Sequence, residues 1–72
     1  MNKMNEIKDA RLPYCVERIY AEGIYVIVVL KGSVIMAEHL DLINYVLAER
    51  LLYLYSIDYT PLTGHLQLTY WG

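Results

Sequence analysis

Residues 24–30, IYVIVVL, are apolar at every position and dense in β-branched side chains. A run of this length and type predicts a strand covered on both faces, and hence a central place in a sheet. Just upstream, residues 14–21 (YCVERIYA) alternate less cleanly. A strand there puts Tyr14, Val16, Arg18 and Tyr20 on one face and Cys15, Glu17, Ile19 and Ala21 on the other. Glu22-Gly23 separates the two runs, and glycine is free to take the positive φ of a tight turn, so the pair predicts a β-hairpin.

After Lys31-Gly32-Ser33 the period changes. Met36, Leu40, Ile43, Leu47, Leu51 and Leu54 recur at steps of three and four, the stripe of one amphipathic helix. The spacing predicts a helix from about Val34 to Leu52, with Ser33 as N-cap and Glu38 placed to favour the helix dipole. Leu42, Tyr45 and Val46 fall outside the stripe, which makes this helix apolar on more sides than one sheet face covers. These three residues are the expected oligomer interface.

Residues 53–59 (YLYSIDY) return to period two, with Tyr53, Tyr55, Ile57 and Tyr59 on one face and Leu54, Ser56 and Asp58 on the other. Leu51–Tyr55 suits both periods, so the helix-to-strand boundary stays open. Thr60-Pro61-Leu62-Thr63-Gly64 is a turn, with proline presetting φ and glycine closing it. The final stretch, His65–Trp71, separates Leu66, Leu68 and Tyr70 cleanly from His65, Gln67, Thr69 and Trp71. The order strand, strand, helix, strand, strand predicts an α+β fold. Its simplest packing lays one long amphipathic helix on one face of a four-stranded antiparallel sheet in ββαββ order and leaves the other face open. Residues 1–12, polar and mixed in charge, read as a tail or short helix ahead of one domain spanning 13–72.

Composition sharpens the picture in one respect. Of the 72 residues, 57% are hydrophobic, and the aromatic content is eight tyrosines and one tryptophan with no phenylalanine. So small a chain buries only about 60% of its unfolded surface. Apolar side chains in excess of that core call for a partner, and a homodimer is expected. Tyrosine and tryptophan also combine apolar area with a polar handle, which suits contact surfaces. The row of Tyr53, Tyr55 and Tyr59 reads either as cross-strand aromatic packing that stabilises the sheet itself or as a contact surface. As a contact surface, the expected partner-binding set is Tyr53, Tyr55, Tyr59, His65 and Trp71, with Glu49 and Asp58 as acidic neighbours.

Charge decides between partner classes. Residues 1–32 carry five cations against four anions, and residues 33–72 carry only Arg50 against Glu38, Asp41, Glu49 and Asp58. A half with net −3 beside its tyrosines favours a basic protein surface over nucleic acid, whose aromatic platforms come with nearby cations. The expected function is a non-enzymatic protein–protein interaction module. A compact inhibitor of a larger host protein, as phages and mobile elements encode, is one setting for it. Two alternatives differ in class: a dimeric nucleic-acid-associated regulator using Lys3, Lys8 and Arg11 on phosphates, and a small-molecule-binding domain around His65 and Trp71.

Catalytic and cofactor signals are weak. The four glycines stand apart, so there is no phosphate-cradling loop. The single cysteine, Cys15, allows no intrachain disulfide and reads as a small buried hydrophobe. No cysteine pair or His-x-x-x-His spacing suggests zinc. Adjacent Glu38 and His39 on a helix point about 100° apart. Ser56, His65 and Asp58 compose a triad on paper only, with no nucleophile elbow around the serine. No enzyme activity, cofactor or metal is expected. Residues 1–13 lack the apolar stretch of a signal peptide, and no run approaches a membrane span, so a cytoplasmic protein is expected.

Overall fold

A computed structural model describes residues 9–31 and 36–72. Its elements are β1 (Val16–Glu22), β2 (Tyr25–Leu30), α1 (Ala37–Ala48), β3 (Tyr53–Thr60) and β4 (His65–Trp71). The four strands form one antiparallel sheet in the order β1-β2-β4-β3, with the helix on one face, as the ββαββ order predicts. Two local hairpins thus meet along β2 and β4, which become the central strands. Glu22 pairs directly with Tyr25, so the first hairpin closes with the two residues Gly23 and Ile24. Gly23 has φ 65° and Ile24 is not in the positive region, the pattern of a turn with glycine at its first central position.

The core lies between α1 and three of the four strands. Val26, Val28 and Leu30 of β2 pair with Tyr70, Leu68 and Leu66 of β4, and these six residues share the helix side of the sheet. Ile43 and Leu47 of α1 close over them with Ile19 and Cys15, and Leu12, Leu40 and Leu52 fill the margins. The footprint of the helix ends at a polar pair. The Tyr70 hydroxyl, on a fully buried ring, donates to Asn44 Oδ1. Burial pushes the Tyr70 phenol up to about 12. α1 approaches β3, yet Leu54, Ile57 and Tyr59 on the helix side of that strand remain 40%, 50% and 61% exposed.

Four expectations change. Val46 is fully buried within the single chain, so it cannot contribute surface to an oligomer interface. The strand faces of β1 and β3 do not alternate throughout, because each carries a β-bulge, at Val16/Arg18 and at Leu54/Ser56. A bulge inserts one residue and flips the parity beyond it. Val16 and Ile19 therefore both pack on the core, and Tyr59 falls on the opposite face from Tyr53. The helix stops at Ala48, four residues before the predicted Leu52, and among the described residues it starts at Ala37, the predicted start Val34 lying outside them. Its N-cap is Met36, in extended backbone with no side-chain cap; Ser33 lies outside the described residues. The expected tail or short helix over 1–12 is a turn against the helix end at 9–12, and residues 1–8 lie outside the described residues.

The C-terminal stop of α1 is a Schellman motif built without glycine. The Leu52 N–H donates to the Leu47 carbonyl at 3.0 Å and the Leu51 N–H to the Ala48 carbonyl at 2.9 Å, with Leu51 at φ 60°. That conformation costs a β-carbon-bearing residue roughly 1–2 kcal/mol, and it is the position where helices usually place glycine. The Leu51 side chain is 69% exposed, so removing it forfeits little packing. Leu51→Gly is expected to stabilise the fold by about 1 kcal/mol, raising Tm by roughly 4–8 °C. A thermal melt showing an unchanged or lower Tm contradicts the capping assignment.

Candidate functional site

The sheet face opposite the helix gathers its rings at one end. Trp71 of β4 stands directly between Tyr25 of β2 and Tyr53 of β3 in the cross-strand register. Tyr25 and Trp71 stack nearly parallel, 12° apart with centroids at 6.0 Å. The β3 bulge makes Tyr55 the extra residue, and its ring swings onto the same face, 4.4 Å from Trp71 and 5.5 Å from Tyr25. Offset and tilted pairs of this kind add about 0.5–1.5 kcal/mol each beyond their area burial. The rings stabilise the sheet and yet stay open to solvent: Tyr53, Tyr55 and Trp71 are 53%, 52% and 42% exposed. Ile27 and Thr69, one rank further along the face, are buried although no helix lies over them.

The remaining expected site residues disperse. Tyr59 is on the helix side of β3. Asp58 shares the ring face, paired with Gln67, and accepts a long hydrogen bond from the Ser56 hydroxyl at 3.5 Å. His65 sits at the far end of β4, where its Nε2 meets Glu17 of β1 across the intervening β2 at 2.8 Å. The Ser56/His65/Asp58 triad is therefore not assembled. Glu49 lies at the end of α1, on the other side of the sheet, bound to Arg11. Leu42 is half-buried and Tyr45 exposed on the helix surface, with the Arg11 guanidinium 6.0 Å from the Tyr45 ring. Tyr25 was not among the expected residues because it sits inside the continuous apolar run of β2. Its parity with Ile27 and Val29, against Val26, Val28 and Leu30, was the available signal.

Arg11 is the centre of a charged clasp. It holds both Glu49 carboxylate oxygens, at 2.6 and 3.2 Å, and both oxygens of Asp9, at 2.9 and 3.0 Å. Arg50 adds a contact to Asp9 at 3.4 Å. The clasp pins residues 9–12 to the helix end and occupies Arg11, one of the cations assigned above to phosphates; Lys3 and Lys8 lie outside the described residues. Hydrogen bonding to Arg11 holds the Asp9 and Glu49 carboxyls below the usual carboxylate range. A depressed carboxyl stabilises the fold above its unfolded pKa of about 4 and loses that contribution as pH falls. Arg11→Ala is expected to lower Tm near neutral pH, with the gap from wild type narrowing as pH drops below about 4. Melts over a pH series check this, and a gap independent of pH contradicts it.

Cys15 and His39 form a second, inner pair. The thiol is 3% exposed, with Sγ 3.7 Å from His39 Nδ1, and the Tyr14 ring meets the imidazole edge-on at 5.8 Å. Its burial among core side chains matches a packing role for Cys15. Among the described residues no helix is long and apolar enough to cross a membrane. Comparison with protein-family models, curated proteins and solved structures finds no match to this chain.

Proposed function

We propose that this chain acts without catalysis, as a protein-binding module that takes its partner on the ring cluster of Tyr25, Tyr53, Tyr55 and Trp71. One observation carries the reading: four large rings stand side by side on a sheet face that no described element covers, fixed by cross-strand pairing, and three of them, Tyr53, Tyr55 and Trp71, are still about half exposed. Rings held this way contribute contact area at little cost in conformational entropy, and their hydroxyl and indole groups supply hydrogen bonds at the margin. The neighbouring charges favour protein over nucleic acid. Arg18 is the only lysine or arginine in the four strands; it lies on β1 toward the far end of that strand from the Glu22–Tyr25 pair, stacked over Tyr20 at 4.4 Å. Asp58 on the same face as the rings fits a partner with a basic rim.

The test is affinity capture from lysate of the native host, with and without nuclease, using wild type and a Tyr55→Ala/Trp71→Ala variant. The reading expects a protein recovered equally after nuclease treatment and absent with the variant. Nuclease-sensitive recovery, or equal recovery by the variant, contradicts it.

A further inference from the structure

The two edges of the sheet are built differently. Both carry a bulge, β1 at Val16/Arg18 and β3 at Leu54/Ser56, but β1 also bears three charges, Glu17, Arg18 and Glu22. Charges on an edge are one means by which proteins keep it from pairing with another strand. β3 has eight residues, one charge and no lysine or proline, and seven of its eight residues are exposed. Its apolar side chains crowd both faces: Leu54, Ile57 and Tyr59 on the helix side, Tyr53 and Tyr55 on the ring side. A row of backbone groups with no strand partner among the described residues thus runs between two bands of exposed apolar surface.

We propose that β3 pairs antiparallel with β3 of a second copy of this chain, joining two four-stranded sheets into one of eight. The inference deepens the protein-binding reading and rests on the same strand. The occupant follows from the strand's own chemistry. An edge almost without charge matches another of its kind, and antiparallel self-pairing about a two-fold axis is the commonest closed arrangement. Face parity admits a pairing centred on Ile57 or on Asp58. The second opposes two carboxylates and is disfavoured. The first sets Ile57 against Ile57 of the partner subunit and Asp58 against the partner's Ser56, a hydroxyl able to donate to it. Leu54, Ile57 and Tyr59, with the flanks of Tyr53 and Tyr55, present on the order of 500 Å² per copy, about the least a specific interface needs, while Trp71 and Tyr25, one and two strands further in, stay free for the partner protein. The pairing also brings the two ring clusters to either side of the axis on one continuous face.

Sedimentation equilibrium of the purified chain tests this. Wild type is expected at twice 8.4 kDa at micromolar concentration. Ile57→Lys places two ammonium groups at the axis and is expected to weaken self-association by about 100-fold or more; Tyr45→Lys, on the helix surface, is expected to leave it unchanged. Ile57→Cys, which adds no charge, is expected to form a symmetric intermolecular disulfide on mild oxidation. A monomeric wild type, a dimer dissociated by Tyr45→Lys rather than Ile57→Lys, or absence of the cross-link overturns the proposal. Self-association is read on purified chain and partner binding by capture. A monomer that still captures its protein through the rings removes this pairing and leaves the binding function standing.

Discussion

Tyr70→Ala is expected to remove about 3–5 kcal/mol of stability. The ring is fully buried at the centre of the sheet, paired with Val26 on one side and Leu54 on the other, and it is the largest of the completely buried side chains. Truncation leaves a cavity that the paired strands cannot close, because β2 and β4 are held in register by their ladder. A domain of this size holds only about 4–11 kcal/mol in total, so the loss takes a large share of it. The Tyr70 hydroxyl adds less. Tyr70→Phe keeps the ring and frees Asn44, which is half-buried and still meets water; the cost is about 1 kcal/mol. Urea unfolding of both variants reads the difference. Equal losses would mean that the Tyr70–Asn44 hydrogen bond, rather than ring burial, holds the helix to β4.

The second large effect falls on binding. Once the captured protein is purified, Trp71→Ala is expected to weaken its affinity by about 2 kcal/mol or more, roughly 30-fold. Trp71 is central to the cluster, in contact with both Tyr25 and Tyr55. The same substitution forfeits two ring contacts and the burial of more than half the indole, and lowers stability by roughly 2–4 kcal/mol. Folded Trp71→Ala protein with much weaker binding therefore separates a contact role from a packing role. Tyr55→Phe retains the ring and is expected to retain most of the affinity, whereas Tyr55→Ala is not. Titration calorimetry with wild-type affinity for Trp71→Ala places the contact surface elsewhere.

The element order was legible because each segment states its period plainly. The continuous apolar run marks β2 as central, and the clean alternation of β4 separates the core row Leu66, Leu68, Tyr70 from the rest. The site was only partly legible, for two physical reasons. Bulges leave no composition signal, yet the one at Leu54/Ser56 turns Tyr55 onto the ring face and sends Tyr59 to the other side. The single row of tyrosines expected from simple alternation thus becomes two surfaces. Chain reversal after α1 was equally hidden. Leu51 occupies the left-handed position where a glycine would have announced the helix end, so periodicity alone ran the helix on to Leu52. Strand order follows from neither signal. It places β3 on the edge, and that position turns an ordinary amphipathic strand into an unpaired apolar one.

Each proposal depends on β3 being the open side of the molecule, and amide hydrogen exchange reads this strand by strand. In dilute solution the outward amides of both β1 and β3 are expected to exchange fast. As chain concentration rises, those of Tyr53–Thr60 are expected to slow while the outer amides of Val16–Glu22 stay fast. Fast exchange along β3 at every concentration, or protection arising on β1 instead, would contradict the account.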